Sequence, residues 1–212
     1  MSRPLVLIGN GGHCRSVIDA ALSAGLKISH ITGFPDDPGK PVMGAYICDA
    51  TDADIPRLAA DHDFVIAFGG IKDMTPRRRV HEFVEEAGGR LATVVASTAW
   101  VSPYATVGRG TVVLHHATVC AGATLGESVI INTAASVDHD ATVGAYSHIS
   151  TGARINGGAS VGELCMVGSN AVVLQGISIA PRTVIGAGAV VTHSITEPGI
   201  YAGTPARLIH PL

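Results

Sequence analysis

Aromatic side chains are scarce: Phe, Trp and Tyr make up 4% of the 212 residues, with a single Trp. A helical bundle packed around rings is a poor fit, and the core must come from small and β-branched side chains, which suit stacked sheets. Charge is scarce too. Charged residues amount to 15% against 47% hydrophobic, too apolar a balance for a disordered chain. Basic excess is missing, with a net charge of −3 and a pI near 6.3, which removes the bulk attraction that nucleic acid or an anionic membrane needs. No apolar run approaches the roughly 20 residues of a membrane span. Leu5–Ile8, behind Met1-Ser2-Arg3-Pro4, is too short for a signal peptide. The four cysteines (Cys14, Cys48, Cys120, Cys165) form no CxxC pair and read as reduced, mostly buried thiols, so a cytoplasmic setting is expected.

What the chain has in abundance is a period of six. Every sixth residue from Val101 to Val191 is Val, Ile or Leu, without exception. The fourth residue after each is usually small, as at Ala105, Ala117, Ala123, Ala135, Ala141, Ala153, Ala159 and Ala171, with Ser147 and Cys165 close in size. Gly often follows the apolar residue directly, as in Val107-Gly108, Leu125-Gly126, Val143-Gly144 and Val161-Gly162. A helix cannot carry this pattern, because six residues turn through about 600° and scatter the apolar set around its surface. A coil of three short strands can. Each unit makes one side of a triangular rung, its apolar residue points inward, and the small residue lets the chain turn the corner. Three units make an 18-residue rung, so Val119 should stack on Val101, Val137 on Val119 and Ile155 on Val137, in a parallel β-helix. The unbroken period leaves no room for a long loop, so a ligand meets the wall of the prism itself.

The first half reads differently. Leu5–Ile8 is a buried-strand run, followed by Gly9-Asn10-Gly11-Gly12-His13 and an apolar-periodic helix from Val17 to Leu26. Further strands are expected at 28–34, 64–68 and 91–95, with a charged helix over 75–88. Position 14 is Cys14 rather than Gly, so the full dinucleotide fingerprint is missing. The glycine turn then serves strand-to-helix geometry alone, or its N–H groups hold phosphate or sugar hydroxyls at a helix N-terminus. Gly11–His13, Asp36-Asp37 and Gly69 fall at the ends of adjacent strands, where they line one crevice. About 95 residues suit a nucleotide or nucleotide-sugar better than NAD. Arg77-Arg78-Arg79 reads as a solvated helix face, or one approaching a phosphate. The domain boundary is placed near 97–103, giving a Rossmann-like nucleotide-sugar-binding domain at 1–97 and a β-helix domain with a C-terminal tail at 98–212.

The hexapeptide pattern resembles that of hexapeptide-repeat acyltransferases, and the two halves together resemble the NeuD/PglD-type sugar acyltransferases. The likeness runs through Leu7-Ile8-Gly9-Asn10-Gly11-Gly12-His13, Gly33-Phe34-Pro35-Asp36-Asp37, Ile66-Ala67-Phe68-Gly69, Ile131-Asn132-Thr133, Val137-Asp138-His139-Asp140 and Tyr201-Ala202-Gly203-Thr204-Pro205-Ala206-Arg207. The resemblance implies an α/β Rossmann-like unit followed by an all-β left-handed parallel β-helix. It also implies a homotrimer with acetyl-coenzyme A as co-substrate between neighbouring prisms and no required metal. By the same likeness His139 is the catalytic base, Asp140 raises its basicity, and His148 contacts acetyl-coenzyme A. Gly152, Ser169 and Ala187 fall where relatives offer backbone groups to the pantetheine arm. Gly11, Gly12, His13, Asp36, Asp37 and Gly69 match the acceptor-binding positions of the amino-sugar branch.

The residues fit that chemistry. An amine or alcohol attacking a thioester must lose a proton, and an imidazole near pKa 6.5 is suited to accept it at neutral pH. Both neighbours of His139, Asp138 and Asp140, are acidic, and residue types alone do not choose between them. His115 and His116 also lie on the prism and read as surface residues, or as neighbours of the acceptor. The leading expectation is N-acetylation of a nucleotide-linked amino sugar in bacterial glycan biosynthesis. Its alternative, O-acetylation of a sialic-acid-like sugar, is what the resemblance of the segments 149–157 and 203–209 to the sialic-acid branch implies. A zinc lyase sharing the prism would need two histidines five residues apart, and the ten histidines contain no such pair. A non-catalytic trimeric scaffold that senses a nucleotide-sugar is the remaining class.

Overall fold

The computed structural model describes residues 3–32, 43 and 48–212. Strand β1 (Leu5–Ile8) leads through helix α1 (Gly12–Ser23) to β2 (Ile28–Thr32) and β3 (Cys48–Ala50). A 3-10 turn and α2 (Ile55–Leu58) precede β4 (Asp63–Ile66), α3 (Thr75–Glu86) and β5 (Arg90–Leu91). The strands pair in parallel in the order β3-β2-β1-β4-β5, so the order reverses between β1 and β4. All four residues of β1 are buried because both faces are covered. Leu5, Leu7 and Val65 pack with α1, while Val6, Ile8, Phe64 and Ile66 pack with α2 and α3. Helix α1 stops earlier than its apolar period, because Gly25 at φ 73 closes it and Leu26 N–H returns to the Ala21 carbonyl.

The run from Leu91 to Val95, expected as one strand, is shared between two sheets. Leu91 pairs with Phe64 of the α/β sheet, whereas Val94 and Val95 pair with Val112 and Val113 of the prism. Leu91 joins the core beneath α2 and α3; Val94 joins the one between α1 and the prism. Each half of the segment follows the core that buries it.

The second half is a three-sided parallel β-helix of two-residue strands, with the 18-residue register expected from the period. Val101, Val119, Val137, Ile155, Val173 and Val191 form one ladder across six paired strands. The corners add a detail that the apolar period does not carry. Every sixth residue from Gly110 to Gly188 has a positive φ, including the non-glycines His116, Ser128, Ala134, Asp140, Tyr146, Leu164, Asn170 and Arg182. The corner is therefore turned by the residue before the small one, and the small residue points inward: Ala117, Ala123, Ala135, Ala141, Ala153 and Ala171 belong to the prism core. Ser147 fits the same niche because its hydroxyl donates to the Gly162 carbonyl at 2.8 Å and accepts from Cys165 N–H at 3.0 Å. The glycine after the apolar residue is required at one corner. A Cβ on Gly108, Gly126, Gly144 or Gly162 would fall 2.4–2.6 Å from backbone of the next rung. The sheet that begins with Val94–Val95 ends in Gly199–Ala202 and the antiparallel Arg207–Pro211.

The α/β unit sits on the face built by Val94–Val95, Val112–Val113, Ile130–Ile131 and His148–Ile149. Of Arg77-Arg78-Arg79 on helix α3, Arg79 is exposed as expected of a solvated face and Arg77 is not. Arg77 is buried, 1% exposed, because its helical position turns it into the seam with the prism, and Arg78 pairs with Glu82. Among the described residues no helix is long and apolar enough to cross a membrane.

Candidate active site

Two groups of polar residues stand at opposite sides of the prism. The first lies in the seam between the α/β unit and the coil. Gly9, at φ 108, makes the sharp exit from β1, and Gly11 adopts the extended conformation that opens α1. Nothing lies within 4 Å of a Cβ added at Gly11 or Gly12, so the backbone at the start of α1 is open to a ligand, where the helix dipole favours negative charge. His13, one residue on, approaches His148 of the prism with ring centroids 6.1 Å apart. Gly69, at the end of β4, completes the group: a Cβ there would touch the His148 ring at 3.5 Å. His13, Gly69 and His148 are thus one cluster, although His148 was expected on the coenzyme side and the other two on the acceptor side. Asp36 and Asp37 lie outside the described residues.

Electrostatics keep both rings neutral. Burial pushes the pKa of His13 down to about 4, assisted by His148 and Arg77. Burial does the same to His148, also to about 4, with the Gly70 carbonyl opposing and Arg77 reinforcing it. The tautomer of His148 follows from its partners. Asn132 Oδ1 accepts from Thr133 N–H at 2.8 Å, which turns its amide NH2 toward His148 Nε2 at 3.1 Å. Nε2 therefore accepts, and Nδ1–H faces the Gly70 carbonyl at 3.4 Å. His13 Nε2 is buried with no partner among the described residues. Asn132 acquires a role that residue types did not supply; the available signal was the register, which pairs Ile130 with His148.

The second group is the corner at 138–141. Asp140 occupies the left-handed position, φ 57, and this bend brings its side chain round to its neighbour. His139 Nδ1 lies 3.0 Å from Asp140 Oδ2, and the Asp138 carboxylate accepts from His139 N–H at 2.7 Å. One acid thus orients the ring and the other caps the backbone. The hydrogen bond to Asp140 raises the His139 pKa above its ordinary value, and the Asp138 charge adds to it. The ring lies over Gly157 of the next rung, whose missing side chain makes room: a Cβ there would meet His139 Nε2 at 2.5 Å. Asp140 overhangs Gly122 in the same way on the rung below. With Nδ1–H given to Asp140, Nε2 keeps a free lone pair on an exposed side chain.

The corner of His139 joins the two sheets that do not carry the α/β unit, so within one chain it points away from His13 and His148. Gly152, Ser169 and Ala187 line the corner that follows the His148 strand, and the last two are exposed. His115 is held by Thr98 at 2.7 Å and faces Asp19 of helix α1 at 3.3 Å. Among the described residues no cluster of His, Cys, Asp or Glu has the arrangement of a metal site.

Residues 4–83 match the family model of the PglD N-terminal domain. The acetyltransferase domain of PglB from Neisseria gonorrhoeae FA1090, solved in complex with acetyl coenzyme A, is 33% identical over 99% of this chain and 100% of that one, with a TM-score of 0.89. The chain belongs to the NeuD/PglD-type sugar acyltransferase family. PerB from Caulobacter crescentus, solved with CoA and GDP-perosamine, is 30% identical to this acyltransferase over 97% of its length and 96% of PerB, with a TM-score of 0.86. WeeI from Acinetobacter baumannii AYE, at 20% identity and a TM-score of 0.85, shares the fold. No curated protein shows significant sequence similarity to the chain.

Proposed function

We propose that this acyltransferase moves the acetyl group of acetyl-coenzyme A onto the amino group of a nucleotide-linked amino sugar, in bacterial glycan biosynthesis, with His139 as general base. The observation that carries the reading is the His139–Asp140 pair at 3.0 Å, with Nε2 exposed above Gly157. The sugar nitrogen attacks the thioester carbonyl carbon; its proton passes to His139 Nε2; the C–S bond breaks and the coenzyme leaves as thiolate, which takes up a proton to become the thiol. Asp140 favours the imidazolium formed midway. Gly157 lies against the ring and its N–H has no partner among the described residues, so we assign that N–H to the developing oxyanion.

The acceptor's phosphates and sugar are assigned to Gly11, Gly12, His13 and Gly69, with Asp36 and Asp37 completing that side. The coenzyme is assigned to the corner of Gly152, Ser169 and Ala187, with His148 at its reactive end. Because His139 points away from the seam of its own chain, the assembly that fits is a homotrimer, each site joining the His139 corner of one copy to the α/β seam of the next. The relatives solved with acetyl coenzyme A and with GDP-perosamine support both ligand classes. Thiol release from acetyl-coenzyme A, screened against UDP- and GDP-linked amino sugars and against free and CMP-activated sialic acid, tests the proposal. Turnover with the amino sugars is expected. Turnover with sialic acids alone would replace it by O-acetylation, and ligand binding without any thiol release would replace it by a sensing scaffold.

A further inference from the structure

Helix α3 carries Arg77 and His81 four residues apart, hence on one face, and both sink into the seam with the prism at 1% and 0% exposure. The Arg77 guanidinium finds only main-chain carbonyls there. Nη1 donates to Ile66 at 3.3 Å and to Phe68, and Nη2 donates to Ser128 at 2.9 Å. Ile66 and Phe68 are the exit of β4; Ser128 is a left-handed prism corner whose hydroxyl also pairs with His81 Nδ1 at 2.8 Å. No carboxylate pairs with this guanidinium among the described residues, since Glu85 and Glu127 face His81 and Arg109. Burying an unpaired cation is costly, and a methionine would fill the volume without that cost. What a methionine cannot do is hold three carbonyls in fixed relation, as a planar five-donor fork can.

The turn held in this way is Gly69–Gly70, immediately beyond Phe68. Its Gly70 carbonyl faces His148 Nδ1 at 3.4 Å, and Gly69 lies against the same ring. We propose that Arg77 is a positioning residue for the acceptor side of the active site: its fork spans the β4 exit and the Ser128 corner and sets Gly69–Gly70 against His148, so that the Gly70 carbonyl covers the Nδ1–H that the Asn132 contact leaves on that ring. The role of the turn and of His148 in acyl transfer rests on the reading given under Proposed function; the placement of the Gly70 carbonyl does not.

Long-range proton–nitrogen-15 spectra of histidine-labelled protein test it, comparing wild type with Arg77→Lys and Arg77→Met. Wild type should show His148 as a single Nδ1–H tautomer whose ring proton exchanges slowly beneath the Gly70 carbonyl. Both variants should keep that tautomer, which Asn132 holds, but exchange the Nδ1 proton roughly tenfold faster or more, with the acceptor KM raised roughly tenfold or more and the pH limb set by His139 unmoved. Wild-type exchange of that proton in either folded variant, or an Nε2–H form in wild type, overturns the proposal. Arg77→Lys keeps the charge and Arg77→Gln keeps one arm of the fork, so either carries the comparison if Arg77→Met does not fold. The spectra need no turnover, so an absence of acetyl transfer would sink the functional reading and leave the exchange result standing.

Discussion

Asp140 reaches back across its own corner to hold Nδ1 of His139 at 3.0 Å, which neighbours in a straight strand cannot do because their side chains point to opposite faces. The acid does two things at once: it fixes which nitrogen carries the proton, and it raises the pKa of the ring. In the proposed role of base, His139 must be neutral to accept a proton, so the acid limb of kcat/KM should lie above the ordinary histidine value. Asp140→Asn replaces the carboxylate that favours the imidazolium with a neutral amide and should move that limb to lower pH, with a loss of roughly tenfold or more in kcat at neutral pH. His139→Ala should cost about 10²–10⁴-fold with acceptor binding retained. A pH–rate profile of the three proteins checks this, and an Asp140→Asn limb at the wild-type pH would contradict it.

Two glycines of the prism should fail in different ways. A Cβ on Gly157 meets the far end of the His139 ring, which can swing aside, whereas a Cβ on Gly144 would lie 2.4 Å from the backbone nitrogen of Glu163, which cannot. Gly157→Ala should therefore keep its thermal midpoint and lose turnover by about a hundredfold, as the base leaves its line of attack. Gly144→Ala should lose about 1–3 kcal/mol of stability or more. Melting curves and single-turnover rates for the pair separate the two effects. Equal stability losses in both would mean that Gly157 serves the coil rather than the ring.

The sequence carried the ladders of the prism far better than it carried the site. An apolar residue every six positions dictates the register, because any slip would place Val137 or Ile155 in solvent. The left-handed corners were not legible, since eight non-glycine residues take that conformation between Gly110 and Gly188, and nothing in the letters Asp138-His139-Asp140 says which one bends. His139 and its two acids were visible as a candidate group; which acid touches the ring was decided by that bend. Arg77 looked like one of three solvated arginines because its burial depends on Ser128, 51 residues away. Contacts of that separation leave no local pattern, and Asn132 escaped a role for a similar reason.

Acid should loosen the seam between the α/β unit and the prism. In the unfolded chain His13 and His148 take up protons near pH 6.5; in the fold each resists until about pH 4. Between those values the unfolded state binds more protons, so stability falls as pH drops through this window and is unaffected above it. The cost is on the order of 3 kcal/mol for each ring once the lower value is reached. Urea unfolding of wild type and His148→Gln from pH 7.5 to pH 4.5 reads it directly. The variant should lose less stability across the window; parallel curves would show that His148 does not stay neutral in the fold.

Separation of His139 from His13 and His148 within one chain makes a prediction about mixtures. His139→Ala should be inactive, and so should His13→Ala combined with His148→Ala, because each lacks one side of the site. If sites form between copies, a mixed trimer places the intact His139 corner of the double variant beside the intact seam of the single variant. In every mixed trimer one of the three interfaces then joins two intact sides, so the purified mixed assembly regains about one third of the wild-type sites. Co-expression with two different tags, purification of the mixed assembly and a thiol-release assay supply the measurement. Recovery near that fraction requires sites shared across the interface. A mixed trimer as inactive as its parents would place both sides of the chemistry in a single chain, and the opposed faces of the prism would then need a large rearrangement to meet.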